Sequence, residues 1–201
     1  MTNNSKELLD ALLRHRLESF IQKSFQSVSP ADKLLWNWHL DIVADHLERC
    51  AHGEIKRLII TVPPRSLKSI CASVAFPAWL LGHDPSRRII CASYSADLAG
   101  KMARDCRTVM EEIWYRSLFP KTRLKRSAEL DLVTTQQGGR YSTSVGGTLT
   151  GRGGSVIIID DPMKPQDAMS ESIRKGVKQW YDSTLYTLSL IHISEPTRRR
   201  D

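Results

Sequence analysis

The sequence predicts an α/β fold, with a mainly parallel central sheet flanked by helices, preceded by a helical N-terminal segment and incomplete at its C-terminus. Three observations predict it. Beyond Gly53, short β-branched runs alternate with longer helical segments, the order that βαβ units around a parallel sheet require. The run Val156 to Ile159 is apolar at every position, as a strand buried on both faces must be. A loop at residues 62–69 and the pair Asp160-Asp161 each follow an apolar run at its carboxyl end, where α/β sheets bind ligands.

The elements follow in order. Leu8, Leu9, Leu12, Leu13, Leu17, Phe20 and Ile21 recur at helical spacing, which predicts one amphipathic helix over residues 5–25. Ser29 and Pro30, with Asp32 behind them, supply an N-cap, a pre-set first residue and a first-turn negative charge for a second helix ending at Ala51. Residues 1–53 are thus the helical segment, and residues 54–187 the core. In the core, Arg57 to Val62 reads as the first strand and Lys68 to Leu81 as a helix bent by Pro77. Arg88 to Tyr94 is the second strand, and a helix follows from Ala96 to Tyr115 with Leu98, Met102, Cys106, Val109, Met110 and Ile113 on one side. Leu132 to Thr135 and Arg140 to Val145, joined by Gln137-Gly138-Gly139, form a hairpin beside the sheet.

Composition narrows the function classes. At 201 residues the chain has room for one nucleotide-sized α/β core, and 41% hydrophobic with 25% charged residues is ordinary for a globular protein. No apolar run is long enough to cross a bilayer, and the first residues lack the unbroken apolar stretch of a signal peptide, so a cytosolic protein is expected. Cys50, Cys71, Cys91 and Cys106 have no metal-ligand spacing and read as reduced thiols. A net charge of +7 suits a polyanionic partner.

The chemistry concentrates in three segments. VPPRSLKS, Val62 to Ser69, places a Lys-Ser pair where a loop enters a helix, as a Walker A loop does. In that reading the backbone of Pro64, Arg65, Ser66 and Leu67 surrounds the phosphates of ATP. Lys68 reaches the β and γ phosphates, and the Ser69 hydroxyl binds magnesium. Val62 and Leu67 stand at the two glycine positions of the motif, and a left-handed Leu67 costs about 1–2 kcal/mol. VIIIDDP, Val156 to Pro162, has the form of a Walker B strand. Asp160 would hold magnesium, and Asp161 would orient and deprotonate the attacking water. The glycine-rich segment between them projects Arg152, either an arginine finger or, as the alternative, a contact to DNA phosphate or a plain exposed loop. Trp36, Trp38 and His39 read as packing residues, with adenine stacking at Trp38 and His39 as the alternative.

With those residues in view, the stretch from Trp36 to Thr187 resembles the phage terminase large subunits, whose loop commonly reads PPRxGKS. The shared segments are Trp38-His39, GEIKRLIITVPPRSLKS, FPAWLLG, ASYS, GGRY, VGGTLTGRGG, IIIDDP and WYDSTLYT. The resemblance implies a P-loop ATPase of the additional-strand type, using ATP and Mg2+ to drive double-stranded DNA into a procapsid. It also implies a homo-oligomeric ring docked on the portal protein, a small terminase subunit as partner, a host-cytoplasmic location, and a C-terminal nuclease domain, which is expected to lie beyond these residues. A helicase-like or recombination ATPase is the rival within enzymes, and a non-hydrolysing nucleotide-binding scaffold the rival outside them. From Leu188 the pattern breaks. LSLIHISEPTR, Leu188 to Arg198, matches the translation of a transposase-type sequencing adapter, so residues 188–201 are expected not to be native protein.

Overall fold

The computed structural model describes residues 3–147, 149 and 153–185. Arg152 and the tail at 188–201 lie outside them, and with them the expectations attached to those residues. The protein is a mixed α/β structure whose five-stranded sheet is flanked by helices. The elements are α1 (Asn3–His15), α2 (Leu17–Val28), α3 (Trp38–Ala51), a wide-turned π segment (Ile70–Ala75) running into α4 (Phe76–His83), β1 (Arg88–Ser93), α5 (Ala96–Glu111), α6 (Ile113–Leu118), β2 (Leu124–Ser127), β3 (Asp131–Thr134), β4 (Gly139–Ser144), β5 (Val156–Ile159), a 3-10 turn (Pro165–Met169), α7 (Glu171–Trp180) and a final π turn (Tyr181–Leu185).

The single N-terminal helix expected over residues 5–25 is two helices, broken at Arg16. Both ends at the break find partners elsewhere. The amide of Leu17 donates to Glu48 Oε1 at 2.5 Å, and the Arg14 carbonyl accepts from Trp79 Nε1 at 3.1 Å and bonds His83 Nε2 at 2.9 Å. Helix ends leave such groups orphaned, and tertiary partners here make the break stable. Leu13, Leu17, Phe20 and Ile21 are buried as expected, whereas Leu8, Leu9 and Leu12 are exposed. The next helix begins at Trp38 and not near Pro30, because Asn37 caps it by accepting from the Trp38 amide at 2.8 Å.

The sheet order is β2-β3-β4-β1-β5. β1 pairs in parallel with β4 and β5, while β2–β3 and β3–β4 are antiparallel. The sheet is therefore mixed, not mainly parallel: the hairpin does not lie beside the sheet but enters it through β4. Its turn is tight enough that a Cβ on Gly138 would stand 2.3 Å from the Pro85 carbonyl oxygen, which leaves room for glycine alone. β2, unmarked by any apolar run, extends the hairpin outward. β5, expected at the centre, is an edge strand among the described residues, and Ile159 is 37% exposed.

Arg57 to Val62 joins no ladder among the described residues. It keeps a strand's alternation all the same, with Leu58 and Ile60 packed on the core and Ile59 91% exposed. β-branched composition supplies the propensity for a strand, but a ladder also needs a neighbouring strand. The helix expected over 96–115 stops at Glu111, because Glu112 is extended (φ −60°, ψ 144°) and turns the chain into α6, leaving Ile113 on the surface. One buried cluster runs from Leu13 through Phe20, Leu47, Val74, Ile89 and Val109 to Leu132, so α1 to α3 share a core with the sheet. Among the described residues no helix is long and apolar enough to cross a membrane.

Candidate active site at the carboxyl end of β5

The site forms where the loop at residues 62–69 meets the end of β5. In the loop, Arg65 and Leu67 adopt left-handed backbone angles, φ 64° and 58°. The sequence penalty foreseen for Leu67 is therefore real, and its side chain packs partly on the core. The chain is helical from Lys68, and Ser69 (φ −66°, ψ −37°) makes no side-chain cap bond. Pro64 and Arg65 are exposed, and Ser66, Leu67, Lys68 and Ser69 half-buried.

Lys68 reaches both carboxylates, 92 and 93 residues further along the chain. Its Nζ lies 3.3 Å from Asp160 Oδ1 and donates a hydrogen bond to Asp161 Oδ1. Burial works against the ammonium charge, but the bond to Asp161 and the two carboxylate charges outweigh it and hold Lys68 above the usual lysine range. Asp160 continues β5, donating its amide to the Ala92 carbonyl at 2.8 Å, and is only 4% exposed. Its Oδ2 accepts from Ser73 Oγ at 3.0 Å. Its Oδ1 is sealed from solvent and accepts no hydrogen bond of good geometry among the described residues, the Lys68 contact being ionic. Asp161 is half-exposed, with a left-handed backbone (φ 49°) pinned by the Tyr94 amide bonding its carbonyl at 2.9 Å.

Two residues of this neighbourhood escaped sequence reasoning. Ser73, on the π segment, binds Asp160, and Arg140, on β4, binds Ser73. The Arg140 guanidinium is fully buried, with Nε and Nη2 donating to the Ser73 carbonyl at 3.2 and 3.1 Å and Nη1 to Ser142 Oγ. The available signal was a lone arginine in a strand whose neighbours face the core.

Trp38 and His39 are not brought to this site by any hydrogen bond or ion pair among the described residues. Trp38 is 68% exposed, so it is not the packing residue expected, and its ring stands edge-on to His39 at 6.3 Å. Trp36 packs against the core and donates to Asp41 Oδ1 at 2.7 Å. The cysteines are free, and burial pushes the thiols of Cys71 and Cys106 up to about 12, which leaves them unreactive.

The arrangement is a cationic side chain beside a loop of strained backbone, facing two carboxylates of which one has a buried oxygen met, among the described residues, by that cation alone. Among the described residues no three His, Cys, Asp or Glu side chains gather as a metal cage. A cation here would rest on one or two carboxylates and a hydroxyl, with other oxygens from water or ligand, which suits magnesium better than zinc or calcium. No protein-family model matches the chain, and no curated protein does.

Proposed function

We propose that this chain is the ATPase portion of a phage terminase large subunit, which hydrolyses ATP to move double-stranded DNA into a procapsid. The observation that carries the reading is the convergence of Lys68 with Asp160 and Asp161, two segments some ninety residues apart that the sequence had singled out separately. Lys68, held charged, would meet the β and γ phosphates, and the amides of residues 64–68 would line their other side. Magnesium would be held by Asp160 and Ser69, and when bound it would neutralise charge developing on the transferred phosphoryl group. The fit rests on Asp160 Oδ1, a buried carboxylate oxygen whose partner among the described residues is the Lys68 ammonium at 3.3 Å. Asp161 is exposed enough to take a proton from water, and its pinned carbonyl limits where its carboxylate can point.

The translocation half of the reading rests on the resemblance and on charge. The +7 net charge and the exposed Arg174, Lys175 and Lys178 of α7 suit a DNA backbone. Portal protein and small terminase subunit are the partners that follow, with a ring of copies in the host cytoplasm. Leu67 favours one rival, a nucleotide-binding scaffold without turnover, since a β-carbon stands where the motif has glycine.

DNA-stimulated ATP hydrolysis decides between them. Turnover by the intact protein, abolished by Lys68→Ala and by Asp161→Asn, is the expected result. Binding of ATP without turnover leaves the scaffold, and turnover retained in both variants overturns the site.

A further inference from the structure

Pro77 lies four residues beyond Ser73, and proline has no N–H. In an α-helix the Ser73 carbonyl would accept from residue 77, so the sequence removes its ordinary partner. The backbone responds by widening, with Phe76 N bonding the Cys71 carbonyl five residues back. The Ser73 carbonyl is taken instead by Arg140, through two nitrogens of a guanidinium that is wholly buried. Among the described residues no carboxylate pairs with Arg140, so its donors are spent on this one carbonyl and on Ser142. A buried arginine cannot shed its charge and needs fixed acceptors, so the two groups hold each other in place.

Ser73 then has its main chain held from β4 and its hydroxyl aimed at Asp160 Oδ2. That bond occupies one carboxylate oxygen and leaves Oδ1 turned toward Lys68. We infer that Ser73 and Arg140 are positioning residues, which fix the Asp160 carboxylate so that Oδ1, paired with Lys68 in this structure, is the oxygen presented to a divalent cation. The inference rests on the ATPase reading but assigns residues that neither the loop nor the carboxylate motif contains. Partners of a metal-ligating carboxylate typically contribute about 10- to 100-fold to metal affinity.

The test uses the full chain, with Mn2+ as probe, followed by electron paramagnetic resonance in the presence of a non-hydrolysable ATP analogue. Affinity for the analogue alone is measured in EDTA. Ser73→Ala should weaken Mn2+ by about 10-fold while leaving analogue affinity in EDTA and cooperative melting intact. Arg140→Met should do the same, and Arg140→Lys, which keeps a donor for the carbonyl, should fall between it and the wild type. Should Arg140→Met fail to fold, Ser73→Ala carries the test alone. Unchanged Mn2+ affinity in Ser73→Ala overturns the inference, as does an equal loss of analogue affinity in EDTA. A wild-type chain that binds neither Mn2+ nor analogue overturns the ATPase reading together with this inference. A wild type that binds both, beside an indifferent Ser73→Ala, overturns this inference alone.

Discussion

Lys68 and Asp160 stand 3.3 Å apart, yet the chain holds them by opposite means. Asp160 continues a paired strand, bonds β1 through its amide, and is tied through Ser73 and Arg140 to β4. Lys68 opens a helix just after a loop with two left-handed residues, behind an extended segment that joins no ladder among the described residues. The carboxylate is thus set by the fold, and the lysine is held at the site mainly by the carboxylates themselves. Such a division suits a site in which one group is fixed and the other exchanges an internal partner for a ligand.

The largest expected effect lies on the fixed side. Arg140→Ala leaves the Ser73 carbonyl without its donors and a cavity in the core, and should destabilise the fold by about 3–5 kcal/mol in denaturant unfolding. Lys68→Ala removes the half-exposed pair with Asp161 but also leaves the buried Asp160 Oδ1 without its counter-charge, and should cost about 1–3 kcal/mol by the same measurement, less than Arg140→Ala. Comparable losses from the two substitutions would break the contrast between the halves.

A smaller effect tests the strain in the loop. Alanine is normally better tolerated than glycine, but at φ 58° the order should invert. Leu67→Ala and Leu67→Gly both lose the contacts of Leu67 with the core, so their difference isolates the backbone. The glycine variant should be the more stable by about 1 kcal/mol in thermal or denaturant unfolding. If alanine is the better tolerated, the loop is not held left-handed at that position.

The same contrast explains what the sequence disclosed. The lysine and the carboxylates were legible because their chemistry needs particular residue types next to abrupt changes of element. The strained Leu67 was legible because a motif requires glycine there. Ser73 and Arg140 were not, since a serine in an apolar helix and an arginine in a strand have meaning only once β4 lies against the π segment. Strand composition located β1, β3, β4 and β5, but not their order. Period-two patterning carries no information on neighbours, so β5 was expected at the centre and the hairpin outside the sheet. The break at Arg16 was equally hidden, because it depends on Glu48, Trp79 and His83, all distant in sequence.

The smallest effect is in pH, where His83, at the break between α1 and α2, and Lys68, at the site, should respond in opposite windows. His83 bonds the Arg14 carbonyl beside Trp79, where burial lowers its proton affinity more than that carbonyl restores it, so its pKa lies below the ordinary 6.5. The unfolded chain therefore binds a proton that the folded one resists, and stability present above pH 6.5 is lost as pH falls. Lys68 is shifted upward, so its contribution is complete below the unfolded value of 10.5 and disappears as pH rises through its folded value. His83→Gln, which keeps a donor for the carbonyl but does not titrate, should flatten the acid fall in melting temperature between pH 7 and 5 by about 1–2 °C. Lys68→Met should leave that acid limb unchanged and alter only the alkaline one. An acid limb that responds to Lys68→Met would show that the site and the His83 region do not titrate independently, and the assignment of the two windows would fail.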